Sequence, residues 1–293
     1  MTLVIAVTTE KSIWLLTDRR LSYLKRTPKD DARKLLILTT TDGCALLGYA
    51  GLGATAKGTE PGDWMQGVLR GRNLPLETSL KVIAAKVKEK LPQHIAQRLA
   101  AHHIIIPAFL NGESRLYSID LVCPPGRKGY LFRLIRQVTG SPFPKCQTPR
   151  ICVAGSGMQH LRNNQQWARD LLKTVSKYNT GRVTPLTVAK ALARINHKVA
   201  QLDSTVGPRC IVVWRLQDGG GANEFFSGEQ KEILTSPVWL PEIGCGLDIN
   251  SILKVTLPMI GFMSPSGLKK EIDKDAINTE LAKLPDKPDD NLP

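Results

Sequence analysis

The sequence predicts an α+β fold, a four-layer αββα sandwich with helices outside and two antiparallel sheets inside. Three observations predict it. Apolar, β-branched runs come first, helical periodicity follows, and both recur, so the order is strands, helices, strands, helices, strands. The first two runs are uniformly apolar, which suits strands covered on both faces rather than a sheet with one wet face. Two separate stretches carry amphipathic helices, enough to cover two sheets.

Thr2–Thr8 and Ser12–Thr17 read as a hairpin across the polar pair Glu10-Lys11. A basic loop, Tyr23–Arg33, follows. Lys34–Thr39 and Cys44–Tyr49 flank the turn Thr41-Asp42-Gly43 as a second hairpin. Pro61 starts a short helix through Trp64 and Val68 that ends near Gly71, and Leu76, Leu80, Ile83, Val87 and Leu91 recur at helical spacing. Strands return at Ile104–Leu110, Arg115–Val122, Tyr130–Ile135 and Arg150–Ala154. Gly155-Ser156-Gly157 opens a helix through Leu161, Leu171, Val175 and Tyr178, which Gly181 ends as a C-cap. Thr184-Pro185 is an N-cap followed by proline at the first helical position, and Val188, Leu192, Ile195, Val199 and Leu202 share one face behind it. Cys210–Leu216 and Asn223–Phe226 close a last hairpin across Asp218-Gly219-Gly220-Gly221. Residues 1–228 are therefore expected to form one domain. Residues 229–267 are expected as an irregular extension packed on it, and residues 268–293, with five basic and seven acidic side chains, as a mobile tail.

The formal charge of +14 is the compositional oddity. A basic surface suits nucleic acid, acidic membranes or acidic partners. The lysines and arginines are scattered, with no run of five, no aromatic interleaving and no nucleic-acid motif, so a solvated basic surface is expected and a nucleic-acid partner is not. Six cysteines, at 44, 123, 146, 152, 210 and 245, form no Cys-x-x-Cys pair. The adjacent His102 and His103 have no cysteine nearby to complete a ligand set, so neither a metal nor another cofactor is expected. Free thiols in a reducing compartment are the default. The apolar start has no basic region before it and is broken by Thr8-Thr9-Glu10-Lys11, so it is not read as a signal peptide. No window approaches eighteen apolar residues. A cytoplasmic protein with no membrane partner is expected.

The chemistry-bearing residues lie at the start. Thr2 is followed sixteen residues later by Asp18 and sixteen after that by Lys34. Thr2 is small, so the usual processing of cytosolic starts should remove Met1. That leaves a hydroxyl nucleophile beside a free α-amine, whose ordinary pKa of about 7.7–8.0 lets it take the proton near neutral pH. Lys34 would stabilise the oxygen electrostatically, with Asp18 holding Lys34 charged and oriented. Each has a plainer reading: Lys34 as a strand-end lysine facing water, Asp18 as a loop carboxylate paired with Arg20.

Six segments together resemble proteasome-type β subunits and their bacterial relatives, the N-terminal-nucleophile hydrolases. They are Thr2-Leu3-Val4-Ile5-Ala6-Val7, Thr17-Asp18-Arg19-Arg20, Arg33-Lys34-Leu35-Leu36-Ile37, Leu47-Gly48-Tyr49-Ala50-Gly51, Val153-Ala154-Gly155-Ser156-Gly157 and Asp203-Ser204-Thr205-Val206-Gly207. The resemblance runs from Thr2 to about Gly228. It implies that Thr2 is the nucleophile, with Lys34 and Asp18 in the roles just described. It also implies that the Gly51 N–H stabilises the tetrahedral oxyanion, and that Ser156 and Asp203 fix the α-amine. The plainer readings are a turn glycine, a helix N-cap and a helix-end turn residue; Arg20 is read as structural. The implied function is threonine-type cleavage of peptide or amide bonds. Its alternative is a catalytically weak or inactive proteasome-like scaffold subunit, and a basic binding protein is a third class. The implied partners are a peptide or protein substrate and further copies of the chain, with a ring and an ATPase unfoldase as open forms.

Three departures from that pattern matter. Val206 stands where those β subunits carry a serine. Leu52–Asp63 contains Gly53, Gly58, Pro61 and Gly62 where they have an uninterrupted pocket-lining helix, so pocket preference does not transfer. Residues 228–293 have no counterpart in the compact β subunit.

Overall fold

The computed structural model describes residues 2–21, 27–51, 59–90, 102–122, 131–136, 149–228 and 240–253. The chain opens with two antiparallel hairpins, β1 (Leu3–Thr8) with β2 (Ser12–Asp18) and β3 (Leu35–Thr40) with β4 (Gly43–Ala50). Helices α1 (Pro61–Leu69) and α2 (Leu76–Lys90) follow. Next come β5 (His103–Leu110), β6 (Glu113–Val122), β7 (Leu131–Arg136) and β8 (Arg150–Gly155). Helices α3 (Met158–Asn163), α4 (Gln165–Asn179) and α5 (Pro185–Leu202) lead to the hairpin β9 (Cys210–Leu216) and β10 (Gly221–Phe226). Two short strands, β11 (Glu242–Gly244) and β12 (Leu247–Asp248), follow, and residues 249–253 after them are helical. The strands form a five-stranded sheet, β10-β9-β2-β1-β8, and a seven-stranded sheet, β12-β11-β3-β4-β5-β6-β7. The architecture is mixed α+β with two sheets.

Every residue of β1 and β2 is buried, because each pleat face meets a different apolar layer. Leu3, Ile5, Val7, Trp14 and Leu16 pack with Leu171, Val175, Val188, Leu192 and Val199 of α4 and α5. Val4, Ala6, Ile13 and Leu15 pack against Leu35, Ile37, Leu46 and Ile105 of the other sheet. A third cluster sets Leu36, Leu38, Leu47 and Tyr49 against Trp64, Leu76, Leu80, Ile83 and Val87 of α1 and α2. Trp14 meets the Tyr178 ring edge-on at 4.9 Å and 88°, a geometry worth about 0.5–1.5 kcal/mol beyond the area it buries.

Two elements differ from expectation. The helix expected from Gly157 to Gly181 is interrupted at Asn164, which caps both α3 and α4. Gly181, with φ of 71°, follows the end of α4 as expected for a C-cap. Within the expected irregular extension, β11 pairs in parallel with β3, Glu242 opposite Ile37. The β12 carboxylate of Asp248 accepts hydrogen bonds from Gln66 at 2.9 Å and Arg70 at 2.5 Å, at the end of α1. A three-residue strand carries no periodicity of its own; its partners supply the order. The segments 229–239 and 254–293, which include the expected tail, lie outside the described residues.

Candidate active site

Thr2, Asp18 and Lys34 converge because β1, β2 and β3 bring their ends together. Asp18 is the last residue of β2, Thr2 immediately precedes β1, and Lys34 immediately precedes β3. Lys34 Nζ donates to Thr2 Oγ1 at 2.6 Å and to Asp18 Oδ1 at 3.0 Å. Thr2 Oγ1 itself donates to Asp18 Oδ1. The same carboxylate accepts the backbone N–H of Leu3 at 2.8 Å, of Arg20 at 3.0 Å and of Gly207 at 3.1 Å. Both oxygens of Asp18 are thus saturated with donors, as a buried carboxylate requires. Arg20, the alternative partner of Asp18, binds Asp30 instead at 2.6 Å.

All three side chains are sealed from water, with exposures of 0% for Thr2, 0% for Asp18 and 1% for Lys34. Burial pushes the Lys34 ammonium below the ordinary lysine range, and the Asp18 charge opposes that shift without cancelling it. Lys34 is held in place from behind. Glu60 accepts the Arg33 N–H at 2.7 Å and the Lys29 ammonium at 2.6 Å, and Arg33 reaches Asp63 at 2.8 Å. Lys29 and Arg33, just before β3, are therefore tied to the start of α1, where carboxylates are also favoured by the helix dipole.

Ser156 and Asp203 meet each other through a residue that the sequence motifs did not single out. The Thr205 hydroxyl donates to Asp203 at 2.6 Å and lies 2.9 Å from Ser156 Oγ. Burial raises the Asp203 carboxyl, but the Thr205 hydroxyl and amide and the Ser156 hydroxyl outweigh it and hold the carboxyl below its usual range. Among the described residues no hydrogen bond joins Ser156 or Asp203 to Thr2. Val206 is fully buried in the layer against α5, which is why an apolar residue stands there. A hydroxyl two residues after an aspartate is an ordinary local turn signal, and it was the available clue to Thr205.

Gly155 is a constrained position beside Thr2. Its φ is 97°, and a side chain there would fall on the Thr2 carbonyl. Gly51 follows β4 and turns past Tyr49 and His102; a Cβ on it would lie 2.6 Å from His102 Nδ1 and 2.8 Å from the Tyr49 hydroxyl. Tyr49 and His102 are themselves hydrogen-bonded at 2.8 Å. Burial, aided by the neighbouring His103, pushes the His102 imidazole down to about 4, so it is neutral at physiological pH. Among the described residues His102 Nε2 has no hydrogen-bond partner, and the ring meets Phe132 edge-on. The residues 52–58 that follow Gly51 lie outside the described residues.

Among the described residues, no helix is long and apolar enough to cross a membrane. No group of three or more His, Cys, Asp or Glu side chains that could hold a metal converges among them either. The four cysteines among them, Cys44, Cys152, Cys210 and Cys245, are free thiols.

No family model matches the chain, and no curated protein matches it. Solved structures do. An Anbu (Gly-1) mutant from Hyphomicrobium sp. strain MC1 aligns with a TM-score of 0.50 at 14% identity, covering 79% of this chain and 90% of that one. Anbu from Yersinia bercovieri, described as an ancestral beta-subunit, aligns at 0.48 and 13%, covering 97% and 98%. The helical assembly of the Anbu complex from Pseudomonas aeruginosa aligns at 0.47 and 15%, covering 91% and 98%. The Hyphomicrobium alignment shows a likeness of fold and nothing finer. The resemblance to proteasome β subunits of the bacterial-homologue type is corrected accordingly: with no family model matching and identities this low, the six segments do not establish membership. Short motifs at strand ends can be set by shared backbone geometry while the rest of the sequence differs.

Proposed function

We propose that the chain is a threonine-type hydrolase of peptide or amide bonds, with Thr2 as nucleophile once the Met1–Thr2 bond is cut. One observation carries this reading: Thr2 Oγ1 sits against both the Lys34 ammonium and the Asp18 carboxylate in a buried cluster. The freed α-amine takes the hydroxyl proton, through a water, as Oγ1 attacks the substrate carbonyl. Lys34 stabilises the oxygen as it loses that proton. The Gly51 N–H donates to the tetrahedral oxyanion, a contribution of about 3 kcal/mol. Collapse expels the amine, which leaves protonated, and gives an ester on Thr2 that water then hydrolyses. Ser156, Thr205 and Asp203 would orient the α-amine. The apolar clusters on either side of the two sheets support a four-layer sandwich as the frame.

The second reading is a scaffold of the same fold with little or no activity. Among the described residues no hydrogen bond links Ser156, Thr205 or Asp203 to Thr2, which favours it. Intact mass with and without an epoxyketone or boronate separates the two. The hydrolase is expected to lack Met1 and to take up one inhibitor on Thr2. Loss of Met1 with no adduct supports the scaffold, and full retention of Met1 defeats the hydrolase reading for that preparation.

Self-association belongs to the same proposal. The face covered by α1 and α2 offers contact surface, and residues 268–293 carry a net −2 against +16 for residues 1–267. Light scattering is expected to show a homo-oligomer that a truncation after Gly267 weakens. A strictly monomeric full chain at micromolar concentration would remove self-association from the proposal.

A further inference from the structure

The fold turns the basic side chains of one stretch of the chain to a common outer side. Between Met158 and Leu202, the stretch of α3, α4 and α5, there are eight lysines and arginines against a single acidic residue, Asp170. That stretch has a net charge of +7, half of the chain's +14. On α4 the cations Arg169, Lys173 and Lys177 recur every four residues, and on α5 Lys190, Arg194 and Lys198 do the same. All six are exposed, as are Arg162 and Arg182 at the ends of the rows. The apolar residues of the same helices, Leu171 and Val175, Val188 and Leu192, point into the core, so the two rows look outward. Each row is about 12 Å long at 1.5 Å per residue. Among the described residues, Lys173 alone of the six has a carboxylate nearby, Asp170 at 4.0 Å.

We propose that this outer face of α4 and α5 binds the phosphate backbone of a nucleic acid without reading its sequence. Two rows of evenly spaced, solvated cations suit a repeating line of charge rather than one carboxylate or one phosphate. A protein partner fits less well. Protein interfaces are anchored by buried aromatic or apolar side chains, and the large apolar side chains exposed on these helices are Leu172, at 37%, and Leu202 at the very end of α5. A second copy set face to face would place +7 against +7. No fully exposed aromatic offers a stacking platform on these helices either: the Trp167 ring is covered by Lys198 Nζ at 5.3 Å. The contact is thus one of charge alone. The expectation of no nucleic-acid partner rests on the absence of basic runs, aromatic interleaving and nucleic-acid motifs, and helical spacing of four leaves such a face without any of the three.

Fluorescence anisotropy of the full chain with a labelled mixed-sequence DNA duplex tests this. For about six phosphate contacts, affinity should fall roughly 10³-fold between 50 and 200 mM salt. The double variant Lys173→Glu/Arg194→Glu should weaken binding by about tenfold or more and lower the logarithmic salt slope by about 2. Lys11→Glu/Lys81→Glu changes net charge equally at exposed sites elsewhere and should bind within about twofold of the parent, because phosphate contact is local. Circular dichroism confirms that each variant is folded. No binding at 50 mM salt overturns the proposal, and so does equal weakening by both variants. Displacement of the duplex by poly-glutamate at equal charge, as efficient as by unlabelled DNA, overturns it in favour of an acidic protein partner.

Discussion

Lys34→Ala is expected to abolish labelling of Thr2 by an epoxyketone or boronate and to cost about 3–5 kcal/mol of folding stability. Two effects add. The Thr2 oxygen loses the cation that lies 2.6 Å from it. Asp18, fully buried, loses its only ion-pair partner among the described residues, at 3.0 Å. An unpaired buried charge is far more costly than a missing pair. Three backbone N–H groups remain on Asp18, so the lower end of the range is the better guide. Asp18→Asn/Lys34→Met removes both charges while keeping side-chain volume. It should recover to within about 2 kcal/mol of the parent and still fail to label. Urea unfolding and intact mass read the two effects separately. Normal labelling of folded Lys34→Ala would leave Lys34 a structural residue.

Gly155→Ala is expected to destabilise the protein by about 2–4 kcal/mol and to suppress Thr2 labelling along with it. Gly155 pairs with Leu3 across β8 and β1, at a φ that side chains avoid, and a methyl group would press on the Thr2 carbonyl. The chain must shift at β1, which carries Thr2. Gly181→Ala is the matched comparison. Its φ is 71°, but nothing lies within 4 Å of the added atom, so it should cost only about 1–2 kcal/mol and leave labelling intact. Equal unfolding midpoints for the two variants would mean that the backbone around Thr2 yields to the methyl group without cost.

Much of the fold was legible because it depends on local periodicity. The β1 and β2 runs, the spacing of Leu76, Leu80, Ile83 and Val87, and Thr184-Pro185 each mark an element by themselves. Less of the site was legible. Spacing singled out Thr2, Asp18 and Lys34, and β1, β2 and β3 do bring them together. Thr205 carries no motif signal of its own, and its neighbour Val206 packs in the core while the Thr205 hydroxyl turns to Asp203. From the sequence, His102 reads only as a metal ligand without partners. Its hydrogen bond to Tyr49 and its place behind Gly51 depend on the pairing of β4 with β5.

The α+β class, the order of the long elements and the three polar residues at the strand ends follow from local pattern in the chain. Periodicity and turn chemistry act over a few residues and need no partner to be read. That the Asp18 carboxylate pairs with Lys34, and the Arg20 guanidinium with Asp30, depends on how β1, β2 and β3 come together. Only the tertiary structure decided that the short strand at Glu242 takes its order from β3 rather than from a local signal, with Glu242 opposite Ile37 and Ile243 opposite Leu38. The fold likewise decided that Thr2 is sealed from water and that the cations of α4 and α5 face outward together. These outcomes depend on which residues distant in sequence share one small volume. There, desolvation and Coulomb energy choose among partners that a linear reading leaves equivalent.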